Sequence, residues 1–443
     1  MPLVHAFSRF ALAPASRRPG VWRAFLLAMV SALACPVGAQ NLGQDELDLQ
    51  GRSSVVQGSG ARAFGMGGAF LARPDDATAA SWNPAGLSYL RRPEASAVRL
   101  GDSTLLNREF PPSNRDPTLY DRRTGDGFDF FAVTHPLSLG GVSGAVQVSY
   151  QRVLPFDNRR SIERPRSTVD IASTGGFDVL AFGTGFQISR RWRVGATLNR
   201  WFNGYDQTLD RQGAVSTNQT LRFDLAGWNV NLGAIWSPVE ELNVGVVAKT
   251  PFDARVSMAR TRTDAVAGGE LTNQAASDDV RLRLPGAVGV GVSWRPHSTL
   301  TLSADYTRSF WSGAYIYNYF TLLIQGEPLS YSKRTWPGLG ERQGDTQEVR
   351  FGVERVLIFE RAKVPVRAGL FTDRQYFLLR DGTAPRSLGW TLGVGLVIGP
   401  LLLDAAYVRE DLSYSNQEPV AANVRRVSFV SSRAYFSLIF RLP

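Results

Sequence analysis

The sequence predicts an all-β protein: a transmembrane antiparallel β-barrel of about fourteen strands, with a small N-terminal hatch that plugs the lumen. Short segments in which apolar and polar residues alternate recur along most of the chain. The connections between these segments are alternately short and long, which is the layout of a membrane barrel. A compact glycine-rich segment precedes the first of them.

The first 39 residues have the features of a secretory signal peptide. An apolar run at 24–34, too short for a membrane anchor, leads to a small-residue cleavage site at Val37-Gly38-Ala39. The run is preceded by four arginines and no acidic residue: Arg9, Arg17, Arg18 and Arg23. Residues 1–39 are therefore predicted to be removed on export. The single cysteine, Cys35, would leave with them, which excludes disulfides from the mature chain; attachment of a lipid to Cys35 is the alternative.

Residues 40–90 are predicted to form the hatch, a segment too short to be a domain of its own. Its most informative part is 60–87, with the sequence GARAFGMGGAFLARPDDATAASWNPAGL. Gly65, Gly67 and Gly68 interrupt regular structure, and Asn83-Pro84 requires an extended or turn conformation at a fixed point. The pattern therefore predicts a compact, tightly turning plug.

Residues 91–443 are predicted to form the barrel. From Trp192 to Leu198, for example, every second residue is apolar. The segment 388–408 approaches a membrane-spanning helix, but Gly399-Pro400 interrupts it, so it is predicted to be two strands joined by a tight turn. The predicted strands are 94–102, 127–135, 141–153, 176–188, 191–203, 221–236, 242–257, 279–294, 299–310, 347–357, 364–373, 389–398, 401–410 and 427–441.

The connections distinguish this barrel from a soluble sandwich, whose strands would also alternate. Those after even-numbered strands are short and those after odd-numbered strands are long, which places both termini in the periplasm. Ordinary domains rarely contain many loops longer than about 12–15 residues. Trp192, Trp236 and Trp294 each adjoin a short turn, as expected of an aromatic girdle at the periplasmic end.

The glycine-rich segment resembles the N-terminal hatch of the FadL family, outer-membrane barrels that carry long-chain fatty acids and aromatic hydrocarbons. The resemblance rests on the glycine-rich start, on Asp75-Asp76-Ala77 and on Trp82-Asn83-Pro84-Ala85-Gly86-Leu87. It extends to a segment that looks like the family's mid-barrel hairpin, with Leu284-Pro285, Gly289, Trp294, Asp305-Tyr306 and Phe310-Trp311. It covers most of the architecture but not the loop sequences, and it implies the outer membrane of a Gram-negative bacterium.

The resemblance also implies a function: passive transport of hydrophobic molecules through a hatch-gated barrel, with lateral release into the membrane. In the family, an Asn-Pro-Ala motif of the hatch contacts an inward kink in a strand, where the wall opens. Asn83, Pro84 and Ala85 would form this gate, with Gly65, Gly67 and Gly68 shaping the hatch. We expect Asn83 to contact an irregular strand among the first few, where its amide could satisfy unpaired backbone groups. A plain turn is the alternative interpretation of Asn83-Pro84.

Two groups of residues are predicted to contact the ligand. The long connection 311–346 carries many apolar side chains, and Tyr315, Tyr317, Phe320 and Leu323 are predicted to capture an apolar substrate outside the cell, unless they pack as a lid. Arg281 and Arg283 are predicted to face the lumen and to bind a carboxylate head group. Structural ion pairs with acidic lumen residues are the alternative for these two arginines.

Composition and motifs argue against several other functions. The net charge is +10, but the basic residues are spread along an exported chain, so nucleic acid is not an expected partner. Lipopolysaccharide phosphates fit the basic cluster Arg159, Arg160, Arg164 and Arg166 better, although a solvated loop is the alternative. His135 and His297 lie at predicted turns without converging partners, so no metal site, cofactor or catalytic triad is predicted.

A scaffold or secretion-associated barrel is the second functional hypothesis. Barrels of the PorV type share the glycine-rich and Trp-Asn-Pro-Ala pattern but serve as partners of exported proteins. This resemblance implies a protein complex in the outer membrane instead of a transported ligand. Lipid bound in the lumen would favour transport, and co-purification with a large complex would favour the scaffold.

Overall fold

The structure is a computed structural model, and it describes most of the predicted hatch and barrel. The predicted signal peptide, 1–39, and the start of the predicted hatch, 40–57, lie outside the described residues. No helix in the described part of the chain is long and apolar enough to cross a membrane. The described residues are 58–109, 118–164, 167–213, 215–266, 272–317, 322–324, 327–329, 334–335, 343–379, 381–415 and 426–442.

Most of the described barrel is β-strand. The strands, numbered in chain order, are β1 Glu94–Glu109, β2 Thr118–Leu139, β3 Val142–Pro155, β4 Asn158–Arg164, β5 Ser167–Gln187, β6 Trp192–Phe202, β7 Gly204–Gly213, β8 Val215–Val239, β9 Leu242–Lys249, β10 Phe252–Val266, β11 Thr272–Leu284, β12 Ala287–His297, β13 Leu300–Ser309, β14 Tyr315–Tyr317, β15 Leu322–Ile324, β16 Glu327–Leu329, β17 Arg334–Thr335, β18 Thr346–Ile358, β19 Lys363–Arg374, β20 Arg386–Ile398, β21 Leu401–Ser415 and β22 Arg426–Arg441.

The barrel closes where its first strand pairs with its last. β1 and β22 are antiparallel in continuous register, from Glu94 with Arg441 to Glu109 with Arg426. β9 and β10 follow each other as one wall strand, and so do β11 and β12. The wall then has 14 antiparallel strands, which confirms the predicted fold class. They are β1, β2, β3, β5, β6, β8, β9–β10, β11–β12, β13, β18, β19, β20, β21 and β22.

The short connections lie where the sequence predicts them, but the long ones contain more strand than predicted. Gly140-Gly141 and Gly399-Pro400 are tight turns between paired strands. At the other end of the barrel, 154–175 and 204–220 were predicted to be loops, but they include β4 and β7. Both continue the wall, β4 by pairing with β5, and β7 by pairing with β5 and β8. That prediction is wrong because polar strands also pair wherever two backbones run side by side and satisfy each other's N–H and C=O groups.

The wall of the barrel is apolar on its outer face, whereas its inner face carries both polar and apolar side chains. Phe131 and Val133 are exposed on the outer face of β2, whereas Thr134 is fully buried on the inner face. Trp192 and Trp236 are paired across β6 and β8, and their rings stack with centroids 6.1 Å apart at the end that carries the short turns. An apolar outer band that ends in aromatic side chains is what a lipid bilayer requires of a barrel wall.

Residues 58–90 lie in the lumen. They form the helices Ala61–Gly65 and Ala79–Trp82 and the 3-10 helix Pro84–Tyr89. Their contacts reach strands on all sides of the barrel. The N–H of Ala61 donates to Ser437 Oγ of β22 at 2.7 Å, the N–H of Phe70 donates to Asp305 Oδ2 of β13 at 2.7 Å, and Gln147 Nε2 of β3 donates to Ala77 O at 2.8 Å. A segment that touches three such distant strands lies inside the ring that they form.

Glycines on the inner face of the wall allow this close fit. A side chain on Gly233 of β8 would collide with Asn83, and a side chain on Gly369 of β19 would collide with Gly67. Within the hatch, Gly67 and Gly68 have φ angles of 68° and 76°, a left-handed conformation that side chains disfavour. The alternating glycines of the barrel strands therefore form the seat of the hatch.

Candidate functional site

Buried ion pairs fix the hatch to one side of the barrel. Arg62 Nη1 lies 2.6 Å from Asp75 Oδ1 within the hatch, and Arg62 Nε lies 3.2 Å from Glu354 Oε2 on β18. Glu354 also accepts from Arg367 Nε at 2.7 Å, and Arg367 Nη1 lies 2.5 Å from Asp404 Oδ1. Removal of one partner from such a network leaves a buried charge uncompensated, at a cost of about 3–5 kcal/mol. The network therefore holds the hatch in place.

Both hatch members of this network stay charged. Burial disfavours the charge of Asp75, but Arg62 and Arg73 outweigh the burial and lower the pKa of Asp75 below its usual value. Burial likewise disfavours the charge of Arg62, but Asp75, Glu354 and Asp76 outweigh it and raise the pKa of Arg62. The attachment is thus an ionic one at neutral pH.

Asn83 joins the hatch to the wall at β8 and β9. Its Nδ2 donates to Leu71 O at 2.9 Å and lies 3.3 and 3.4 Å from the carbonyl oxygens of Ala234 and Val246. Its Oδ1 accepts from the N–H of Ala85 at 3.1 Å and so begins the 3-10 helix Pro84–Tyr89. The side chain is fully buried.

The expectation that Asn83 contacts an irregular strand among the first few is wrong. β8 and β9 are the sixth and seventh wall strands, and they pair without a break from Asn231 with Lys249 to Trp236 with Val244. The position of the turn follows the glycines of the wall: Gly195 adjoins Pro84, and Gly233 adjoins Asn83. Pro84 and Ala85 therefore lie against wall glycines, whose missing side chains let the hatch backbone approach, and not against an interruption of the wall.

A first interruption, between β2 and β3, is met by another part of the hatch. Pairing of β2 with β3 stops at Phe130 with Gln151, although β2 continues along β1 and β3 continues along β5. Each strand has a bulge there, at Asp129 and Val153. Ser59 Oγ of the hatch donates to Asp129 Oδ2. This contact was not predicted from the sequence, although the aromatic residues at 128, 130 and 131 break the alternation.

Charged groups line this interruption, which we call the β2–β3 window. Arg152 Nε lies 3.0 Å from Asp178 Oδ1, and Arg152 Nη1 lies 3.2 Å from Asp157 Oδ2. Asp102, Asp129 and Arg152 line both a lumen cavity of about 70 Å³ and a smaller cavity of about 20 Å³ in the window. The window is therefore closed by an arginine and its carboxylate partners.

A second interruption lies between two neighbouring wall strands, β9–β10 and β11–β12, at the point where each of them is broken. Their pairing stops at Lys249 with Ala287 and resumes at Phe252 with Leu284. Thr250-Pro251 on one strand and Pro285-Gly286 on the other lie between. We call these four residues the β9–β12 window. Both strands also change face here. Odd-numbered residues point inward in β9 and β12, whereas even-numbered residues point inward in β10 and β11.

This change of face corrects the prediction for two arginines. Arg281 and Arg283 were predicted to face the lumen because the alternation of β12 was extended backwards through Pro285-Gly286. Instead Leu282 and Leu284 are buried in the lumen, and the arginines lie on the outer face. Arg283 Nη1 is 3.4 Å from Asp253 Oδ2. A cation that does line the lumen is Lys249, whose Nζ donates to Ser81 O of the hatch at 3.3 Å.

An apolar cluster fills the half of the lumen at the end of the long connections, which we call the outer half. Trp201 packs against Phe252 with ring centroids 5.1 Å apart, and Trp311 stacks on Tyr376 at 4.7 Å. A cavity of about 50 Å³ lies between this cluster and the hatch. Trp201 and Phe252 line it on the outer side, and Ala80 and Ser81 line it on the hatch side. These aromatic residues were not among the predicted ligand contacts, because the predicted apolar contacts were placed in the connection 311–346.

The three predicted apolar contacts in 311–346 that the structure describes lie in two separate sheets. Tyr315 and Tyr317 lie in β14, where they are in register with Arg283 and Arg281 of β11. Leu323 lies in β15, which forms a separate two-stranded sheet with β16. Phe320 lies outside the described residues. Their role in ligand capture stays a prediction.

Solved structures with the same fold include a FadL homologue and two toluene transporters. A FadL homologue of Pseudomonas aeruginosa has a TM-score of 0.63 at 13% identity, over 87% of this chain and 98% of that one. The toluene transporter TodX of P. putida has a TM-score of 0.59 at 14% identity, over 87% of this chain and 99% of that one. The Ralstonia pickettii toluene transporter TbuX has a TM-score of 0.55 at 15% identity, over 88% of this chain and 99% of that one. No protein-family model matches the sequence, and no curated protein matches it. The chain therefore has a FadL-type fold.

Proposed function

We propose that the protein lies in the outer membrane of a Gram-negative bacterium and passively transports hydrophobic molecules such as long-chain fatty acids or hydrocarbons. The apolar cluster in the outer half of the lumen carries this proposal. A water-filled porin has a polar lumen, whereas this lumen presents Trp201, Phe252 and their neighbours beside a cavity. Each Å² of apolar surface removed from water contributes about 25 cal/mol, so an apolar solute gains free energy there.

Lateral release into the membrane is the second part of the proposal. The hatch occupies the lumen below the cluster and is held by ion pairs, so a straight path to the periplasm would require it to move. A hydrocarbon that leaves through the wall instead enters the bilayer without crossing water. In this mechanism Asn83, Pro84 and Ala85 hold the gate segment against the wall, and Gly65, Gly67 and Gly68 shape the plug.

The outer end of the barrel would contact lipopolysaccharide and collect apolar molecules from outside the cell. Arg159 is exposed on β4, within the basic cluster that fits lipopolysaccharide phosphates. The connection 311–346 belongs to the same end and would collect apolar molecules above the cluster. Neither role requires catalysis or a cofactor.

A PorV-like scaffold is the second candidate function. One observation favours it: the wall opposite Asn83 is continuously paired, so the Asn-Pro-Ala turn does not face an opening. In that function the hatch would be a structural plug, and the long extensions at the outer end would bind exported proteins.

Ligand binding to a lumen variant separates the two candidates. We expect wild-type barrel in detergent to bind radiolabelled oleate or toluene, and Trp201→Ser with Phe252→Ser to weaken binding at least tenfold. Burial of one such side chain contributes about 1.5–3 kcal/mol, and tenfold corresponds to about 1.4 kcal/mol. Trp228→Ser is the matched control, because Trp228 is 56% exposed on the outer face. A folded wild-type barrel that binds neither probe but co-purifies with an exported protein would support the scaffold.

A further inference from the structure

We propose that the β9–β12 window is a lateral portal, through which the hydrocarbon part of a transported molecule passes between the lumen and the outer leaflet. The inference rests on the proposed transport function and names the place in the wall where release occurs. Four observations carry it: the local backbone bonding, the change of face, the cavity at the window, and the residues shared with the lumen cavity.

The backbone at this window can part without breaking bonds between the two strands. Pro251 and Pro285 have no N–H to donate. The N–H of Thr250 donates to Val230 O of the neighbouring strand β8 at 2.9 Å, and so points away from the window. On the other side, Gly286 O accepts at 2.9 Å from the N–H of Phe310, which directly follows the neighbouring strand β13. Unsatisfied backbone groups in lipid cost several kcal/mol each, so an opening elsewhere in the paired wall would be much more expensive.

The change of face brings apolar residues to both sides of the wall at this level. Phe252 and Leu284 point inward and belong to the apolar cluster, whereas Val288 and Leu232 are exposed to lipid on the outside. Hydrocarbon can therefore contact apolar atoms from the lumen to the bilayer at the β9–β12 window.

A cavity of about 330 Å³ occupies the outer side of the window, and its lining is mostly apolar. Lys249, Leu284 and Pro285 line both this cavity and the lumen cavity next to the hatch. An engineered apolar cavity of about 150 Å³ holds benzene, so the volume suits an aromatic ring or part of an acyl chain. The two strands pack closely at the window, because a side chain on Gly286 would come within 2.8 Å of Pro251.

A variant that fills the outer cavity tests the portal. Ala248 lines the cavity and is exposed on the outer face of β9, so Ala248→Trp should fill the space without disturbing the lumen. We expect uptake of radiolabelled oleate and toluene by cells that produce the barrel to fall at least fivefold. Val292→Trp is the matched control, because Val292 is 41% exposed on the outer face of β12 but lies away from the window. If Ala248→Trp fails to fold, Val288→Trp fills the same cavity from the other strand.

Photolabelling distinguishes the transported molecule from a resident membrane lipid. A fatty acid with a diazirine in its chain should label 245–255 and 283–289 in wild type, and Ala248→Trp should abolish the label. The same diazirine chain carried by phosphatidylcholine is the comparison. Labelling by phosphatidylcholine alone, or normal uptake by a folded Ala248→Trp barrel, would overturn the portal and leave transport standing. Absence of uptake by wild type would overturn the proposed function, and the portal with it.

Discussion

The two windows in the wall have similar backbone irregularities but are closed in different ways. At the β2–β3 window, Arg152 closes the gap with an aspartate on either side, and Leu100, Phe128 and Pro155 line it together with these charges. At the β9–β12 window the gap is closed by packing, and Leu284, Pro285 and Val288 line it together with Lys249 and Arg283. A hydrocarbon that passes the first window must separate the partly buried ion pairs of Arg152. Beside the second window the ion pair of Arg283 with Asp253 is exposed, and such a pair contributes little. The burial of the ion pairs therefore decides which gap suits an apolar solute.

The origin of each gap explains its lining. A bulge inserts a residue that has no partner on the neighbouring strand, and in β2 this residue is Asp129. Its buried carboxylate requires a donor, which the hatch supplies through Ser59. A proline, in contrast, removes the backbone donor, so Pro251 and Pro285 have no N–H that needs a partner. Ser59 thus joins the β2–β3 window to the hatch at the bulge, whereas the β9–β12 window contacts the hatch through the side chain of Lys249, which donates to Ser81 O.

The largest effect should follow from breaking the charged closure. Arg152→Met leaves Asp178, which is almost fully buried, without its cation, and we expect the free energy of unfolding to fall by about 3 kcal/mol. Pro285→Ala is the counterpart at the apolar window, where we expect a change of at most about 1 kcal/mol. Urea titrations of both variants in detergent micelles measure the two values. Equal losses would show that the linings do not differ in what holds them closed.

A smaller effect should come from Lys249, whose charge should affect binding of a charged ligand but not of an uncharged one. Lys249 lines the lumen cavity and the β9–β12 cavity, and its Nζ lies at the hatch end of the path. We expect Lys249→Met to weaken binding of oleate about tenfold, because a charge-assisted hydrogen bond contributes about 1.5–3 kcal/mol. Binding of toluene should be unchanged. Equilibrium binding of the two probes to the same preparation decides the matter, and a parallel loss for both would assign Lys249 a structural role alone.

Much of the fold could be predicted from the sequence because a barrel in lipid repeats one physical rule in every strand. Outer residues must be apolar and backbone groups must pair, so alternation and turn spacing identified the wall, and Trp192, Trp236 and Trp294 marked one end of it. The same rule misplaced Arg281 and Arg283, because alternation was extended through Pro285-Gly286, where the inward face changes. Proline after a strand could have warned of that change.

The site was less predictable because it depends on contacts between distant parts of the chain. The seat of Asn83 is set by Gly233 and its neighbours on other strands, which no local pattern of the hatch reveals. The contact between Ser59 and Asp129 joins residues that are 70 positions apart. Only the break of alternation around Asp129 was visible in the sequence, and it does not say which hatch residue meets it.

The smallest expected effect is a pH dependence of the hatch, which is held by ion pairs, but not of the β9–β12 window, which is closed by packing. Asp75 has a pKa below its usual value in the folded barrel because Arg62 and Arg73 outweigh its burial. Its contribution to stability is therefore complete above the usual carboxylate pKa of about 4 and is lost as the pH falls through the lowered folded value. We expect pepsin to cleave within 58–90 progressively faster below pH 4 in wild type. Asp75→Asn, which lacks the titrating group, should be cleaved faster than wild type at pH 4 and should converge with it at lower pH. Photolabelling of the β9–β12 window should not change over this range, because its closure is apolar. A parallel loss at both places would mean that the hatch ion pairs also hold the apolar window closed.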